Sequence, residues 1–521
     1  MKLSELLYGV SIKEVVGDIS NISVNKLEFD SREVGKSDLF IAIKGVTVDG
    51  HDFIDSCIEN GVNSIVLEKL PENRNKDICY VLVEDSSIAM SIIASNYYGN
   101  PSMKLKLVGV TGTNGKTTIA TLLYQLFSDL GYPTALLSTI ENKIRDRTIQ
   151  STHTTGDSLQ INQLLSQMVD EGCEYCFMKV SSHAIHQNRV LNLVFDGGIF
   201  TNITHDHLDY HNTFSEYISI KKKFFDNLGK DAFSISNKDD KNGKQMLANT
   251  NSRRVFYSLK SMADYKCKLL ESRLDGMLLN IQNNEIWVKI IGEFNAYNLL
   301  AIYATAIELG VNKNEVFEKI SLLNPAEGRF HTVRNSKNIT GIVDYMHTPD
   351  AYENVLSTIN KIRNNTEKLI IVFGCGGDRD AEKRPVMTSI AANMSDQVII
   401  TEDNPRTEKL EDIIKDMTKD LDPVQKNKIL IINDRKQAIK TACALANDGD
   451  IVLLAGKGHE KYQDVDGVKY PFDDVKELTE SLNINTENPH LAINKQQINT
   501  LMRKHCFIEN VDHVPDFESS F

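Results

Sequence analysis

The chain has 521 residues, which at about 150 residues per domain suffices for roughly three domains with separate cores. Apolar residues make up 41% and charged residues 25%, which excludes wholesale disorder, and the net charge of −13 argues against a protein that coats nucleic acid. An anionic small ligand is not excluded, because backbone amides can hold phosphate on an acidic protein.

No targeting or membrane-spanning segment is evident. Residues 1–16 alternate apolar and charged residues, unlike a signal peptide, and no apolar run approaches the roughly 18 residues that cross a membrane. The eight cysteines are scattered, which favours reduced thiols in the cytoplasm over a disulfide framework. Cys173 and Cys176 form a lone C-x-x-C pair, which we interpret as buried small side chains rather than a zinc or redox site.

The chain begins with a mixed α/β pattern to about residue 102, where residues 100–102 are a predicted linker. The apolar run Leu105–Val110 then predicts a buried parallel strand. After a turn of glycine, threonine and asparagine, apolar residues within 119–130 recur on one face of a predicted helix. Gly131 stands where the residue after a helix C-terminus is expected.

The region from about residue 332 repeats this alternation of strands and helices. Lys368–Phe373, Gln397–Ile400 and Ile451–Leu454 are short apolar runs, each followed by a polar loop with glycine or proline. Ligands of open parallel sheets bind at the loops that leave the carboxyl ends of the strands, so these loops are candidate site loops. Beyond about residue 485 the apolar pattern is lost, which favours a poorly ordered tail or a short docking helix.

The turn between the first predicted strand and helix, residues 111–118, reads T-G-T-N-G-K-T-T. In such a loop glycines let backbone N–H groups close around phosphate, Lys116 can reach phosphate oxygens, and the Thr117 hydroxyl can ligate Mg²⁺. The strict P-loop pattern fails at Val110, which replaces its first glycine, but the strand–loop–helix context still predicts nucleotide binding. The expected loop contacts are Gly112, Thr113, Asn114, Gly115, Lys116, Thr117 and Thr118.

This loop resembles the ATP loop of the Mur ligases and of their folylpolyglutamate synthetase relatives, and further motifs extend the resemblance from about residue 20 to about residue 480. The resemblance implies an α/β fold of three domains, with a central P-loop ATPase-like parallel sheet and a C-terminal Rossmann-like domain. The implied domains are 1–102 for the UDP-sugar, 103–331 for ATP and 332–485 for an amino acid, followed by a tail at 486–521.

The resemblance implies an ATP-dependent amide ligase. The D-glutamate γ-carboxylate of UDP-MurNAc-L-Ala-D-Glu would attack the γ-phosphate of ATP to form an acyl phosphate, and an amine would then displace phosphate, with domain closure joining the two substrates. Lys116 and Mg²⁺ would neutralise charge, and the implied metal ligands are Thr117, His207 and, if carbamylated, Lys221. His207 could instead cap a turn, and Lys221 with residues 222–223 could form a solvated helical face.

Further contacts are implied by motifs outside the loop. For the nucleotide they are Asn295, Asn298, Arg329 and Asp344. For the UDP-linked substrate they are Ser31, Thr154, Thr155, Ser181, Gln187 and Arg189. For the amino acid they are Arg379, Asp403, Asn404, Pro405, Arg406, Gly456 and Glu460.

The D-N-P-R sequence at residues 403–406 resembles the form found in family members that add meso-diaminopimelate. This amino acid has a second head with a carboxylate and an ammonium group. Lysine has the distal ammonium group but no distal carboxylate. Arg379 and Arg406 can each offer a bidentate fork to a carboxylate, and Glu460 can pair with an ammonium group. The resemblance therefore implies diaminopimelate addition in peptidoglycan precursor synthesis, and we expect a cytoplasmic monomer without nucleic-acid partners.

Lys179 departs from the family pattern, in which a metal-holding glutamate occupies this position. A protonated lysine cannot ligate Mg²⁺ and reverses the local charge. Lys179 could replace one cation electrostatically, point away, or mark a slow or inactive paralogue. A ligase for another amino acid such as lysine is a further alternative, whereas the D-S-R sequence at 30–32 and D-N-P-R argue against a folylpolyglutamate synthetase.

Overall fold

The structure is a computed structural model that describes residues 1–45, 48–139, 141–150, 155–204, 210–211, 213–364 and 366–487. The chain divides into two compact units, Met1–Asn324 and the part from Pro325 onward. The predicted boundaries at 102, 331 and 485 stay predictions, and nearly all of the predicted tail lies outside the described residues.

In the described part of the first unit, the N-terminal residues form a five-stranded sheet with three helices. The strands are β1 (Ile12–Val16), β2 (Leu27–Glu28), β3 (Leu39–Ile41), β4 (Ser64–Leu67) and β5 (Cys79–Val83), and the helices are α1 (Leu3–Leu6), α2 (Ile54–Glu59) and α3 (Ser86–Tyr97). The order is β1-β5-β4-β3-β2, parallel except for β1. Apolar residues fill both faces, because helices cover this largely parallel sheet. The predicted mixed α/β pattern is confirmed.

The segment 100–102, predicted as a linker, is instead packed. A 3₁₀ helix covers Pro101–Met103, and Ser102 is 1% exposed. The Ser102 hydroxyl accepts a hydrogen bond from Val194 N at 3.1 Å. A proline signals a turn in the sequence, but the partner that buries the turn lies some ninety residues away and leaves no local signal.

The rest of the first unit is built on a sheet that contains eleven strands among the described residues. They are β6 (Lys106–Thr111), β7 (Thr134–Leu137), β8 (Glu141–Ile144), β9 (Arg147–Gln150), β10 (Tyr175–Lys179), β11 (Gly197–Phe200), β12 (Phe233–Asn237), β13 (Arg253–Ser258), β14 (Tyr265–Arg273), β15 (Gly276–Ile281) and β16 (Asn284–Val288). The helices are α4 (Lys116–Asp129), α5 (Ser158–Asp170), α6 (Ser182–His186), α7 (Phe214–Asp226), α8 (Gly243–Met246), α9 (Glu293–Glu308) and α10 (Lys313–Leu322). The order is β16-β15-β14-β13-β12-β11-β6-β10-β7-β8-β9.

The predicted strand and helix around the glycine-rich turn are β6 and α4. β6 is parallel to β10 on one side and to β11 on the other, so its carboxyl end opens at the centre of the sheet. The apolar face of α4 is buried against this sheet, which is why the helical period was visible in the sequence. Gly131 has a φ of +90°, as expected after a helix C-terminus.

The second unit contains a six-stranded sheet and a hairpin in its described part. The strands are β17 (His331–Arg334), β18 (Thr340–Asp344), β19 (Leu369–Phe373), β20 (Gln397–Ile400), β21 (Ile429–Ile431), β22 (Ile451–Ala455), β23 (Tyr462–Val465) and β24 (Val468–Pro471). The helices are α11 (Pro349–Ile362), α12 (Lys383–Met394), α13 (Leu410–Thr418), α14 (Pro423–Lys426), α15 (Arg435–Leu445) and α16 (Asp474–Glu487). The order is β17-β18-β22-β19-β20-β21, parallel except for β17.

The three apolar runs predicted as strands are β19, β20 and β22. They are neighbours in the order β22-β19-β20, so the loops that follow them leave the same edge of the sheet. A buried ion pair joins this edge to the last described helix. Arg435 on α15 donates to Asp474 at 2.8 and 2.7 Å, and both side chains are 0% exposed. Its guanidinium also donates to the carbonyl oxygens of Glu402 and Ala455, at the carboxyl ends of β20 and β22.

No helix in the described ranges is long and apolar enough to cross a membrane. The seven cysteines within those ranges are buried free thiols. Burial raises the pKa of the Cys173 and Cys176 thiols, which makes both poor nucleophiles and metal ligands at neutral pH. Their interpretation as buried small side chains agrees with this environment.

Candidate active site

The glycine-rich loop between β6 and α4 depends on two close approaches. Gly112 and Gly115 have φ values of +147° and +86°. A Cβ on Gly112 would lie 1.9 Å from Thr201 Oγ1, and one on Gly115 would lie 2.6 Å from Asn298 Oδ1. Both positions therefore require glycine, for backbone conformation and for space.

The loop is held against the chain that follows β11. Thr113 N donates to Asn202 O at 2.8 Å, and Asn114 N donates to the Asn202 side-chain oxygen at 2.9 Å. Thr201 Oγ1 donates to Asn114 O at 2.6 Å. Among the described residues, no side chain caps the N-terminus of α4. A helix N-terminus after such a loop is suited to an anion, because its N–H groups and dipole favour negative charge.

Two lysines converge on this loop. Lys116 Nζ donates to Gly112 O at 2.8 Å and Thr113 O at 2.6 Å, and Lys221 Nζ donates to the same Gly112 oxygen at 2.9 Å. Lys221 is 1% exposed and lies 4.6 Å from the ring of Tyr217, so it does not belong to a solvated helical face. Lys223 is exposed and does fit that alternative.

The two asparagines predicted on the nucleotide side lie on α9 and are buried. Asn295 Nδ2 donates to Ile291 O at 2.7 Å, and Asn298 Nδ2 donates to Asn295 Oδ1 at 2.9 Å. Asn298 Oδ1 thereby faces Gly115 in the loop. The structure brings this asparagine to the phosphate loop, with the other one fixing its orientation.

Four residues predicted for the UDP-linked substrate form one network. Arg189 donates to Gln187 Oε1 at 2.9 Å and to Thr155 O at 2.7 Å. Thr155 Oγ1 donates to Ser181 Oγ at 3.2 Å. Burial lowers the pKa of the Arg189 guanidinium, which nevertheless stays a cation.

Of the other residues predicted for the UDP-linked substrate, Ser31 is the one that the described part of the chain includes. Ser31 lies in the turn after β2 beside the Asp30–Arg32 ion pair, and no hydrogen bond in the described residues joins it to the network. Thr154 and His207 lie outside the described residues.

Sequence reasoning missed an aromatic cluster beside this network. Tyr210 OH lies 2.9 Å from His186 Nδ1, and the ring centroids of Tyr210 and His183 are 4.0 Å apart. His211 is 0% exposed, and burial, aided by the neighbouring His183 and His186, lowers its pKa to about 4. The spacing of His183 and His186 on α6, three residues apart on one helical face, was the available signal.

Lys179 ends β10, and its ammonium group donates to the Thr139 hydroxyl in the loop after β7. β10 lies between β6 and β7 in the sheet, so this contact is on the β7 side, whereas the phosphate loop follows β6 on the other side. The contact fits the alternative in which Lys179 points away.

In the second unit, the loops after β22, β19 and β20 interlock through glycines. A Cβ on Gly456 would lie 2.4 Å from Asp403 Oδ2, and one on Gly377 would lie 1.9 Å from Pro405 O. Gly377 N donates to Asn404 O at 2.9 Å. The structure thus brings the D-N-P-R segment together with the two glycine-bearing loops, as the sequence predicted.

The two predicted carboxylate-binding arginines flank one glycine. A Cβ on Gly376 would lie 3.0 Å from Arg406 Nη1 and 3.7 Å from Arg379 Cγ. Arg406 has a φ of +51° and donates to Gly377 O, whereas Arg379 is exposed. The Arg406 guanidinium and the side-chain stem of Arg379 therefore lie close to the same glycine at the edge of the sheet.

Glu460 completes the same region. Its Oε2 accepts from Asn404 Nδ2 at 2.8 Å, and its Oε1 accepts from Tyr345 OH at 3.3 Å. Burial, together with the neighbouring Asp403 carboxylate, raises the pKa of Glu460, and Lys457 opposes that shift. Sequence reasoning named Glu460 as a site residue but included neither Tyr345 nor Lys457 among the residues that bind the amino acid.

Arg329 and Asp344 lie next to these loops within the second unit. The Arg329 guanidinium lies 4.6 Å from the Tyr345 ring centroid, and Asp344 Oδ2 accepts from Phe330 N at 2.7 Å. Burial raises the pKa of Asp344 to about 6, although Arg329 opposes the shift. A Cβ on Gly328 would lie 2.1 Å from His459 N, so the backbones of segments 328–330 and 456–460 pack against each other.

Three models of Mur ligase domains match the chain. The model described as the Mur ligase family catalytic domain matches residues 23–98, the middle domain matches 110–306, and the glutamate ligase domain matches 328–458. Together they cover most of the chain, and their order is the one that the motifs implied.

Close relatives extend over nearly the whole chain. UDP-N-acetylmuramoyl-L-alanyl-D-glutamate–2,6-diaminopimelate ligases are 52% identical in Cytophaga hutchinsonii and 50% identical in Bacteroides fragilis. Each match covers 92% of this chain, with 100% and 99% of the relative, respectively.

Solved structures show the same fold. A structure of a ligase with the same name as these relatives has a TM-score of 0.67 at 30% identity, covering 94% of this chain and 100% of that chain. The MurF ligase of Thermotoga maritima in complex with ADP has a TM-score of 0.58 at 19% identity, covering 90% of this chain and 99% of that chain, a likeness of fold alone. The predicted α/β architecture is confirmed, and the chain belongs to the Mur ligase family.

Proposed function

We propose that the chain uses ATP to add meso-2,6-diaminopimelate to UDP-MurNAc-L-Ala-D-Glu, an amide-forming step of peptidoglycan precursor synthesis. The observation that carries the choice of amino acid is the arrangement of Arg379 and Arg406 around Gly376, within the loops that also place Glu460. Two guanidinium groups fit the distal carboxylate, and a carboxylate fits the distal ammonium. The names of the relatives support the same choice.

The phosphate loop would serve the first half of the reaction. A γ-carboxylate oxygen attacks the γ-phosphorus, the bond to the β–γ bridging oxygen breaks, and ADP leaves with that electron pair. Lys116 and the uncapped N-terminus of α4 would stabilise the charge on the phosphate oxygens. Lys116 donates to the carbonyl oxygens of Gly112 and Thr113 in its own loop, so we infer that it exchanges these acceptors for phosphate oxygens when ATP binds.

The amine of diaminopimelate would then attack the acyl carbon, phosphate would leave, and the nitrogen would lose one proton. Glu460, Asn404 and the two arginines hold the amino acid at its distal head in this proposal and do not touch the reacting amine. Their function is therefore to orient the substrate, which raises the effective concentration of the amine at the acyl phosphate.

Mg²⁺ is a proposed cofactor, and Thr117 fits it. In phosphoryl-transfer sites Mg²⁺ takes one or two protein ligands and completes its shell with phosphate oxygens and water. The Thr117 hydroxyl lies in the first turn of α4 and is 4% exposed. The Lys221 ammonium group donates to Gly112 O and has no lone pair to offer a metal ion. Lys221 could therefore ligate Mg²⁺ only as a carbamate. Bound Mg²⁺ would neutralise charge on the transferred phosphoryl group.

The decisive assay supplies purified protein with ATP, Mg²⁺ and UDP-MurNAc-L-Ala-D-Glu, with either meso-diaminopimelate or lysine. We expect phosphate release and a product of the corresponding mass with diaminopimelate, and only background release with lysine or without an amino acid. Release with lysine alone would overturn the assignment of the amino acid, and no release with any amino acid would overturn the ligase assignment. Light scattering on the same sample tests the proposed monomer.

Lys179 motivates one competing function, a catalytically impaired paralogue that binds the UDP-linked substrate. We expect Lys179→Glu to change kcat by less than about tenfold, because the lysine contacts Thr139 on the β7 side of its strand. Lys179→Met controls for loss of charge alone. A large gain in kcat for the glutamate variant would mean that the native lysine impairs the site.

A further inference from the structure

Lys457 is a buried lysine among the residues proposed to bind the amino acid. Its side chain is 0% exposed, and it follows β22 by two residues. Its Nζ donates to Asn404 Oδ1 at 2.9 Å and to Glu460 Oε2 at 3.4 Å, and it lies 3.9 Å from Asp403 Oδ1. The ammonium group is therefore surrounded by three residues of the proposed diaminopimelate site.

These contacts determine which way the Asn404 amide faces. Its Oδ1 accepts from Lys457 Nζ and also from Asp464 N at 2.9 Å. Its Nδ2 is thereby directed at Glu460 Oε2, 2.8 Å away. Rotating the amide by 180° would set its NH₂ group against two donors and its oxygen against a carboxylate, losing these hydrogen bonds.

The same ammonium group balances two carboxylates. Asp403 and Glu460 come from loops after different strands and lie within 4 Å of one cation. Without that cation, burial and mutual repulsion would favour protonation of one of them. A protonated Glu460 would lose the negative charge with which it can hold a substrate ammonium group.

We propose that Lys457 is a positioning residue for the amino-acid substrate: it holds the Asn404 amide in one orientation and neutralises the Asp403–Glu460 carboxylate pair, so that Glu460 faces the substrate as an acceptor. The inference rests on the proposed function, because it requires that Glu460 receives an ammonium group of the incoming amino acid. Lys457 itself touches neither reacting atom.

The test compares Lys457→Met with Lys469→Met in the full chain. Lys469 is a matched control, because both lysines lie near the Tyr462 ring, with Nζ 4.4 Å from it for Lys469 and 5.7 Å for Lys457. Unlike Lys457, Lys469 is exposed. We expect Lys457→Met to raise KM for diaminopimelate about tenfold or more, with KM for ATP and the UDP-linked substrate within about twofold. Lys469→Met should leave all three constants unchanged.

A pH profile separates positioning from a general structural effect. The titratable and charged groups around Glu460 are Asp403, Lys457, Tyr345 and Tyr462, with Arg329 against the Tyr345 ring and Arg406 near Tyr462. Removing Lys457, the cation that contacts Glu460 directly, raises the pKa of Glu460 further, so the KM defect of Lys457→Met should shrink as pH rises from 7 to 9. Lys457→Arg keeps the positive charge, so its KM for diaminopimelate should lie much closer to the wild-type value than that of Lys457→Met.

A double-mutant cycle with Glu460→Gln provides the strictest criterion. If Lys457 acts through Glu460, the Lys457→Met change should add little to the KM for diaminopimelate in the Glu460→Gln background. Additive effects, an unchanged KM, or a parallel rise in all three KM values would overturn the inference. If Lys457→Met does not fold, Asn404→Asp tests the same chain of contacts, because it removes the NH₂ donor to Glu460, and an unchanged KM would again overturn it.

The two proposals fail in different ways. A wild-type protein that releases no phosphate with diaminopimelate refutes the proposed function. An active wild-type protein with an unaffected Lys457→Met variant refutes only the role of Lys457.

Discussion

The proposed phosphate loop of the first unit and the proposed amino-acid loops of the second unit, which follow β19, β20 and β22, would hold charged groups by different means. The phosphate loop is one continuous segment whose glycines and helix N-terminus present backbone N–H groups, with two lysines on one carbonyl oxygen. The amino-acid loops follow three strands and present side chains that orient one another, as Lys457, Asn404 and Glu460 do. The first site therefore depends on backbone shape, and the second on a side-chain network.

The largest effect should come from removing Lys116, the cation of the proposed phosphate loop. We expect Lys116→Met to lower kcat about 10³-fold, because no other side chain of the loop carries a positive charge that could stabilise the negative charge developing on the phosphate oxygens. Phosphate release under saturating substrates measures it. A loss below about tenfold would mean that backbone N–H groups alone suffice.

Lys221 and Lys223 provide an internal comparison on one helix. We expect Lys221→Met to lower kcat about 10²-fold, because its buried ammonium group donates to the phosphate-loop carbonyl of Gly112. The exposed Lys223→Met should stay within about twofold of the wild type. Equal losses in the two variants would contradict the placement of Lys221 at the loop.

Arg406 tests whether geometry matters in the side-chain site. Arg406→Lys keeps the charge but loses the planar fork, so KM for diaminopimelate should rise about tenfold while KM for ATP stays constant. Arg334→Lys, an exposed position on β17, is the control. If KM for ATP rises in step, the arginine supports the fold of the loop rather than the substrate.

The smallest effect concerns stability rather than rate. Burial lowers the pKa of His211 to about 4, so between about pH 6.5 and 4 the unfolded chain binds a proton that the folded chain does not. This group therefore makes the free energy of unfolding fall as pH falls through that window. We expect His211→Phe to reduce the slope by up to about 1.4 kcal/mol per pH unit, measured by urea unfolding at pH 7, 6 and 5. An unchanged slope would mean that His211 titrates normally.

The same contrast explains what could be predicted from the sequence. β6, α4 and the strands β19, β20 and β22 are local patterns of apolar residues, and the structure has them within one or two residues of the predicted bounds at most ends. The phosphate loop is contiguous, so its residues were named from one motif. The roles of Lys457 and Tyr345 depend on partners that only the order of strands brings near, and the burial of Ser102 depends on Val194.

The buried pair of Arg435 and Asp474 has a consequence for how much of the chain is needed. Proteolytic cleavage or a premature stop before residue 474 would leave a guanidinium group without its carboxylate partner, at a cost of about 3–5 kcal/mol. Since that guanidinium also donates to Glu402 O and Ala455 O, the strand ends beneath the amino-acid loops would lose their support with it. A truncated chain that retained every predicted binding residue through Glu460 would therefore be expected to lose the amino-acid site.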